Sequence, residues 1–298
     1  MDSWGALSTE ASNPASEALD TLATEDVVAL LLEEDRRGLE ATLRCREDIA
    51  RAATWVAEAL GAGGRVVFAG AGTSGRLGVL EAAECPPTFG TDPEQIRAVI
   101  AGGPEAVFAA REGAEDVHAD GAKAAEDLSQ GDLLIAVSAS SVTPFILGAL
   151  ETARTHGIRT ILVTCAPSED IPDGADLVLA LDTGPEVLTG STRLKAGSAT
   201  KAALNAITTA AMVRLGKVYG NLMVDLRPGS AKLRDRALRI IEAAGAVSRE
   251  EAEELYEASD GEVKTAIVMA SCALGVEPSR ERLRTAGGHV RKALGNES

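Results

Sequence analysis

Short apolar runs alternate with helical segments through the middle of the chain, and this alternation constrains the fold more than any other feature. The predicted strands are 65–69, 96–101, 132–137, 159–165 and 176–181. Helical spacing of apolar residues predicts helices near 74–84, 106–127, 144–156 and 192–215. Because parallel strands need crossover connections that are usually helices, the pattern predicts a doubly wound α/β domain with a five-stranded parallel sheet.

Both flanks of this region lack the strand pattern. Residues 1–24 show little periodicity and are predicted to form an arm, whereas helical spacing after it predicts two helices before the first strand. Three or four helices are predicted at the C-terminal end. We therefore expect an arm and helices packed on the core over 1–60, the α/β domain over 61–228, and a small helical domain over 231–298.

The chain is strongly acidic, with a formal net charge of −16. Its mean field repels nucleic acid and anionic lipid, so neither is an expected partner, and a phosphorylated ligand must be held by local donors. The four cysteines form no C-x-x-C pair, and the three isolated histidines complete no metal-like cluster. No stretch approaches the ~20 apolar residues of a membrane span. We expect a cytoplasmic protein with reduced thiols and no structural metal.

The first of three polar loops follows the first predicted strand and reads Gly70-Ala71-Gly72-Thr73-Ser74-Gly75. Its glycines match the dinucleotide fingerprint, but that site also needs an acidic residue at the end of the next strand, where this chain has alanine and glycines. Arg76 and Leu77 exclude a Walker A loop. With both nucleotide sites excluded, the loop still offers backbone N–H groups, hydroxyls and the positive end of a helix dipole, which together suit an anion. The predicted ligand-binding residues here are Gly72, Thr73 and Ser74.

Two further loops carry hydroxyls at the start of a predicted helix. The loop after the third strand contains Ser138, Ser140, Ser141 and Thr143, with Thr143 placed as an N-cap before Pro144. The loop that opens the fourth helix contains Ser191 and Lys195. A capped helix with a polar turn, or a solvated surface cation, would explain either loop alone. Three such loops in one chain favour a sugar phosphate over a nucleotide.

Two groups of carboxylates are candidates for acid–base chemistry. Pro86 disfavours helical geometry at Cys85 and so places Glu84 in the last turn of its predicted helix. There the negative end of the helix dipole opposes ionisation, which would raise the pKa of Glu84 and suit it to donate a proton. A solvent-facing glutamate is the plainer alternative. Glu115 belongs to an acidic patch over 112–116, and spacing alone gives no reason to choose it over its neighbours.

Several segments, spread over nearly the whole chain, carry a family resemblance. They are Thr9-Glu10 with Asn13, and the segments 70–90, 112–116, 184–201, 216–225 and 287–294. The string Ala83-Glu84-Cys85-Pro86-Pro87-Thr88 is the most specific of them. Together they resemble the N-acetylmuramic acid 6-phosphate etherases, a family with a sugar isomerase (SIS) type domain. The resemblance implies a SIS-type, flavodoxin-like fold.

The resemblance also implies an activity. Such an enzyme is a cytoplasmic homodimer that cleaves the lactyl ether of N-acetylmuramic acid 6-phosphate, giving N-acetylglucosamine 6-phosphate and D-lactate without a cofactor. The glutamate matching Glu84 is the proton donor of that family, and the one matching Glu115 is a catalytic acid–base residue. The implied chemistry is elimination followed by hydration, which needs two carboxyl groups with separated pKa values.

One loop departs from the family pattern. The family's second loop usually reads A-S-G-R-T-P-Y, whereas this chain has Ser141 and Val142 in place of the glycine and the arginine. We expect this change to affect the turn, since serine tolerates a positive φ less well, and to remove a clamp for phosphate or carboxylate. Two other hypotheses stay open: a non-catalytic sugar-phosphate sensor similar to the glucokinase regulatory protein, and an aldose–ketose isomerase.

Overall fold

A five-stranded parallel sheet forms the centre of the computed structural model, which describes residues 5, 7–226 and 228–295. The strands are β1 (Val66–Gly70), β2 (Ile96–Ile100), β3 (Leu133–Val137), β4 (Arg159–Thr164) and β5 (Leu177–Ala180). Their order is β2-β1-β3-β4-β5, and each pair is parallel. The predicted α/β fold class is therefore confirmed, and the five predicted strands match to within two residues at each end.

The strand order places two loops side by side. β1 pairs with β2 on one side and with β3 on the other, so Gly70 aligns with both Ile100 and Val137. After β1 the chain adds β2 on one side of it, and then adds β3, β4 and β5 in turn on the other side. The junction of β1 and β3 is therefore the topological switch point of the sheet. In doubly wound sheets, ligands bind beyond the carboxyl ends of the strands at such a switch point.

Helices cover the sheet on both faces, as buried central strands require. In the first part of the chain they are α1 (Thr24–Arg44), α2 (Arg46–Gly61), α3 (Gly72–Phe89), α4 (His118–Ala125), α5 (Pro144–Thr155) and α6 (Lys195–Arg214). α4 and α5 pack closely because glycines stand at their contact. A Cβ on Gly121 would lie 1.7 Å from the Phe145 carbonyl oxygen, and one on Gly148 would lie 2.2 Å from the His118 carbonyl oxygen. Any larger residue at either position would force the two helices apart.

Two predicted helices have different bounds in the structure. The helix predicted over 106–127 is wrong for most of its length, because Gly103 and Gly113 adopt positive φ of 77° and 74° and only α4 is α-helical there. The helix predicted to end near Glu84 instead runs on to Phe89 through Pro86 and Pro87. Proline fixes φ near the helical value, so a proline pair removes two hydrogen bonds without preventing the helical path. Glu84 is therefore not in a last turn.

Tertiary packing divides the chain into two compact units. The first unit comprises 1–83 and 94–208, and the second comprises 84–93 and 209–298. The second unit contains a hairpin that the sequence reasoning missed, β6 (Val218–Tyr219) and β7 (Leu222–Met223). Its helices are α7 (Ala231–Gly245), α8 (Arg249–Ala258), α9 (Val263–Cys272), α10 (Val276–Thr285) and α11 (Val290–Ala293). Residues 231–295 thus form five helices, where three or four were predicted over 231–298.

The second unit has its own hydrophobic core. α7 contributes Ile240 and Ile241, and α9 contributes Ala266, Ile267 and Val268, all of them buried. In the part of the chain that the structure describes, no helix is both long enough and apolar enough to cross a bilayer.

Candidate functional site

A cleft of about 290 Å³ lies in the first unit at the carboxyl ends of β1 and β3. Its walls come from five segments of chain. They are the N-terminal arm, the loop after β1, the turn before α4, the loop after β3, and the loop before α6. This is the switch point of the sheet, where the loops after β1 and β3 lie side by side.

The loop after β1 makes a tight turn into α3 that only glycine permits. A Cβ on Gly70 would lie 2.5 Å from the Gly75 nitrogen, and one on Gly75 would lie 2.6 Å from the Gly70 carbonyl oxygen. α3 begins at Gly72, so Thr73 and Ser74 stand in its first turn, where helical N–H groups lack intrahelical partners. Gly72, Thr73 and Ser74 all line the cleft. The loop thus offers an anion both N–H donors and two hydroxyls.

The loop after β3 brings a second set of hydroxyls to the same cleft. Ser138, Ser140 and Thr143 line it, and the Ser138 and Thr143 hydroxyls are hydrogen-bonded to each other at 2.9 Å. Thr143 stands at the N-cap position of α5 and Pro144 at its first position, as predicted. The Thr143 side chain, however, makes no capping bond, and its carbonyl oxygen accepts from the N–H groups of Ile146 and Leu147.

Ser141 has a different role from the other hydroxyls of this loop. Its φ is 68°, in the left-handed region, so the turn keeps the conformation that suits glycine although a serine stands there. The Ser141 side chain is buried, and its hydroxyl donates to the carbonyl oxygens of Ser140 and Asp170. Ser141 therefore supports the loop and is not among the residues that line the cleft.

The loop before α6 differs most from its prediction, because an internal carboxylate already occupies the start of the helix. Glu186, only 1% exposed, accepts hydrogen bonds from the backbone N–H groups of Lys195 and Ala196 at 3.1 and 2.9 Å. Burial raises the pKa of Glu186, against the lowering effect of these two bonds. An anion site at this helix start is thus already satisfied. Of this loop, Gly190 and Thr192 line the cleft, and Ser191 lies between them.

Lys195 is held by an internal ion pair and does not line the cleft. Its Nζ lies 2.6 Å from Glu34 Oε2 and 2.8 Å from the Pro185 carbonyl oxygen, and the Lys195 and Glu34 side chains are only 4% and 3% exposed. Asn13 of the arm donates to the same Glu34 oxygen at 3.0 Å. This buried network ties the arm and α1 to the start of α6.

The candidate carboxylates occupy different surroundings. Glu115 and Asp116 line the cleft from the 3-10 turn Ala114–Asp116, which follows the left-handed Gly113. Glu10 of the arm also lines it. Every residue that lines the cleft belongs to the first unit, whereas Glu84 belongs to the second, with its side chain exposed. Because α3 does not end near Glu84, the helix-end argument for a retained proton does not apply.

Sequence reasoning missed the arm's part in the cleft. Leu7, Thr9 and Glu10 line it, held by a 3-10 turn over Ser8–Glu10. The arm has no periodicity from which its position could be inferred. The only available signal was that Thr9-Glu10 and Asn13 belong to the segments that carry the family resemblance.

A larger cavity, of about 840 Å³, lies in the second unit. Two of its partly exposed cations already have a partner, because Lys217 and Lys264 both contact Asp225 Oδ2, at 2.9 and 2.7 Å. Burial lowers the pKa of Lys264, against the opposing effect of Asp225. The polar groups of this cavity thus satisfy one another, and we place the functional site in the cleft of the first unit.

Comparison with known proteins identifies the family. Residues 48–154 match the glucokinase regulatory protein N-terminal SIS domain, and residues 110–210 match the SIS domain. The N-acetylmuramic acid 6-phosphate etherase of Synechocystis sp. is 46% identical over 99% of this chain and 97% of its own. The chain belongs to the N-acetylmuramic acid 6-phosphate etherase family. The etherase of Rubrobacter xylanophilus is 50% identical, over 98% of this chain and 97% of its own.

Membership in the etherase family confirms the predicted resemblance and agrees with the SIS-type sheet. The etherase of Parasynechococcus marenigrum is 48% identical over 97% of this chain and 92% of its own, so the likeness spans both compact units.

Proposed function

We propose that this protein is a carbon–oxygen lyase that cleaves the D-lactyl ether of N-acetylmuramic acid 6-phosphate. The products are N-acetylglucosamine 6-phosphate and D-lactate. The observation that carries the proposal is the identity of 46 to 50% over nearly the full chain to proteins named for this reaction. A cleft that combines anion donors with carboxylates, at the switch point of the sheet, supports it.

The phosphate binds to the loops after β1 and β3. Thr73, Ser74, Ser138, Ser140 and Thr143 supply hydroxyl donors, the start of α3 supplies N–H groups, and the starts of α3 and α5 supply positive dipole ends. No Lys or Arg is among the described residues that line the cleft. Phosphate recognition here thus depends on neutral donors, which suits a chain that lacks the family's arginine at Val142.

Glu115 acts as acid–base residue on the open-chain sugar. The C1 aldehyde acidifies the C2 proton, a carboxylate removes that proton, and the C3–O bond to lactate breaks as a carboxylic acid protonates the departing oxygen. Water then adds at C3. Glu115 lines the cleft as this role requires. Glu84 is proposed as the proton donor from the family resemblance alone.

We also propose a cytoplasmic homodimer in which α1 pairs with α1 of a second copy. Val28, Leu32, Leu39 and Leu43 are 49%, 65%, 49% and 65% exposed, and at 100° per residue they lie within about 60° of one helix face. The stripe is symmetric, because the pair 28 and 43 and the pair 32 and 39 share one midpoint, between Asp35 and Arg36. An antiparallel pair would therefore set Leu32 against Leu39 of the second copy, as a two-fold interface needs.

Release of D-lactate tests the proposed activity. Purified protein with N-acetylmuramic acid 6-phosphate should liberate D-lactate stoichiometrically without added metal or nucleotide. An isomerase would convert a sugar phosphate without releasing lactate, and a sensor would bind without reacting. The absence of lactate at high enzyme concentration would refute the lyase.

Substitution of Glu115 tests its role. Glu115→Gln should lower kcat by about 100-fold or more while substrate binding persists, since acid–base groups contribute about 10²–10⁴-fold. Glu126→Gln, at an exposed position outside the cleft, is the matched control and should leave kcat unchanged. A near-native kcat for Glu115→Gln would move the role to another residue.

A further inference from the structure

The N-terminal arm brings a carboxylate into the cleft that the proposed chemistry does not use. Glu10 lines the cleft beside the loop before α6. A Cβ added to Gly190 would lie 2.9 Å from Glu10 Oε2, and Gly190 adopts φ of 75°. Because Gly190 has no side chain, the Glu10 carboxylate can lie directly beside the loop before α6.

The position of Glu10 is built into the fold. Asn13, three residues on, is only 6% exposed; its Nδ2 donates to Glu34 Oε2 at 3.0 Å and to the Pro185 carbonyl oxygen at 3.1 Å. The Asn13 Oδ1 accepts from the Ala15 N–H at 3.0 Å, which fixes the turn that follows. On the other side of Glu10, Thr9 is 4% exposed and also lines the cleft. The arm is thus anchored on both sides of the chain that carries Glu10.

Two observations indicate that Glu10 and Thr9 are available to a ligand. The Glu10 side chain is exposed to the cleft, and the buried Thr9 hydroxyl has no hydrogen-bond partner among the described residues. A buried hydroxyl without a partner is costly, and an exposed carboxylate can only accept. A ligand that carries O–H or N–H donors would satisfy Glu10.

Charge decides which part of a sugar phosphate Glu10 contacts. The hydroxyl and N–H donors come from the loops after β1 and β3, whereas the carboxylates come from the arm and the turn over 114–116. A phosphate or a lactyl carboxylate would be repelled by Glu10, since like charges at short range oppose binding. The hydroxyls and the acetamido N–H of the proposed substrate are the groups that can donate to a carboxylate.

We infer that Glu10 is a substrate-binding residue, which accepts hydrogen bonds from the hydroxyl and acetamido N–H groups of the sugar while the phosphate occupies the two loops. This assignment rests on the proposed function, because it takes the sugar phosphate as ligand. It makes the arm the part of the cleft that distinguishes a sugar phosphate from phosphate alone.

The test compares two probes on the full-length protein, N-acetylglucosamine 6-phosphate and inorganic phosphate, by isothermal calorimetry. Glu10→Gln should weaken binding of the sugar phosphate by about 10- to 100-fold, the usual effect of losing hydrogen bonds to a charged group. Binding of inorganic phosphate should stay the same or tighten, because a like charge is removed. Asn13→Ala removes the hydrogen bonds that hold the arm to Glu34 and Pro185. It should likewise weaken binding of the sugar phosphate without weakening binding of inorganic phosphate.

Glu17→Gln is the matched control, since Glu17 is an exposed arm residue that does not line the cleft, and both affinities should be unchanged. Binding of the sugar phosphate by Glu10→Gln within twofold of wild type, or equal loss of both probes, would overturn the assignment. Wild-type protein that binds the sugar phosphate but releases no lactate would overturn the proposed lyase and leave Glu10 as a sugar-binding residue.

Discussion

Lys195→Met should destabilise the protein far more than the loss of a surface lysine does. The Lys195 ammonium is 2.6 Å from Glu34 Oε2, with both side chains at most 4% exposed. Removing one partner of a buried pair leaves an uncompensated charge, which costs about 3–5 kcal/mol. Arg37 still contacts Glu34 Oε1 at 2.7 Å, so we expect the lower end, about 3 kcal/mol.

Urea unfolding followed by circular dichroism at pH 7 measures this free energy. Lys123→Met is the control: Lys123 is 65% exposed and pairs with Asp120 within one helix, so its loss should leave the free energy of unfolding close to that of wild type. If Lys195→Met unfolds within 1 kcal/mol of wild type and instead raises KM, Lys195 binds substrate and the structural reasoning is refuted.

The same variant has an expected pH dependence. Burial alone would raise the pKa of Glu34, but the hydrogen bond and charge of Lys195, with Asn13 and Arg37, lower it below its usual 4.5. A depressed pKa in the folded state contributes stability above the unfolded value and loses it as the pH falls through the folded value. The difference in unfolding free energy between wild type and Lys195→Met should therefore become smaller below about pH 4.5. A gap that widened on acidification would contradict this account of Glu34.

Two further substitutions test the loop and the interface. Ser141→Gly should raise the unfolding free energy by about 1 kcal/mol in urea titrations, because a non-glycine residue at φ of 68° is strained; a destabilised variant would mean that the serine hydroxyl bonds outweigh the strain. Leu32→Glu should convert a dimer to a monomer in sedimentation experiments, whereas Leu188→Glu, at an equally apolar and 55% exposed position, should not. A Leu32→Glu protein that remains dimeric would exclude α1 as the interface.

The sequence pattern predicted the sheet well because its signal is local. Each strand is a short apolar run, and β1 and β3 are buried at every position, so the runs are uninterrupted. The two loops at the switch point follow from the same pattern, because parallel strands end on one edge of the sheet. The glycine spacing of 70–75 was a further local signal, and the structure shows why each end must be glycine.

The failures have long-range causes. Lys195 was predicted to bind substrate because it is a cation beside hydroxyls in an acidic protein, but its partner Glu34 lies 161 residues away. The arm's anchor through Asn13 spans 172 residues to Pro185. The helix end predicted at Glu84 failed for another reason, since proline permits helical φ while removing a donor.

The neutral lining of the phosphate loops has a kinetic consequence. A chain of net charge −16 repels an approaching anion at long range, and no described cation in the cleft offsets that repulsion. Added salt screens the repulsion, since the Debye length falls from about 30 Å at 0.01 M to about 8 Å at 0.15 M. Capture of a phosphorylated sugar should therefore speed up with rising ionic strength, the reverse of what a basic pocket gives.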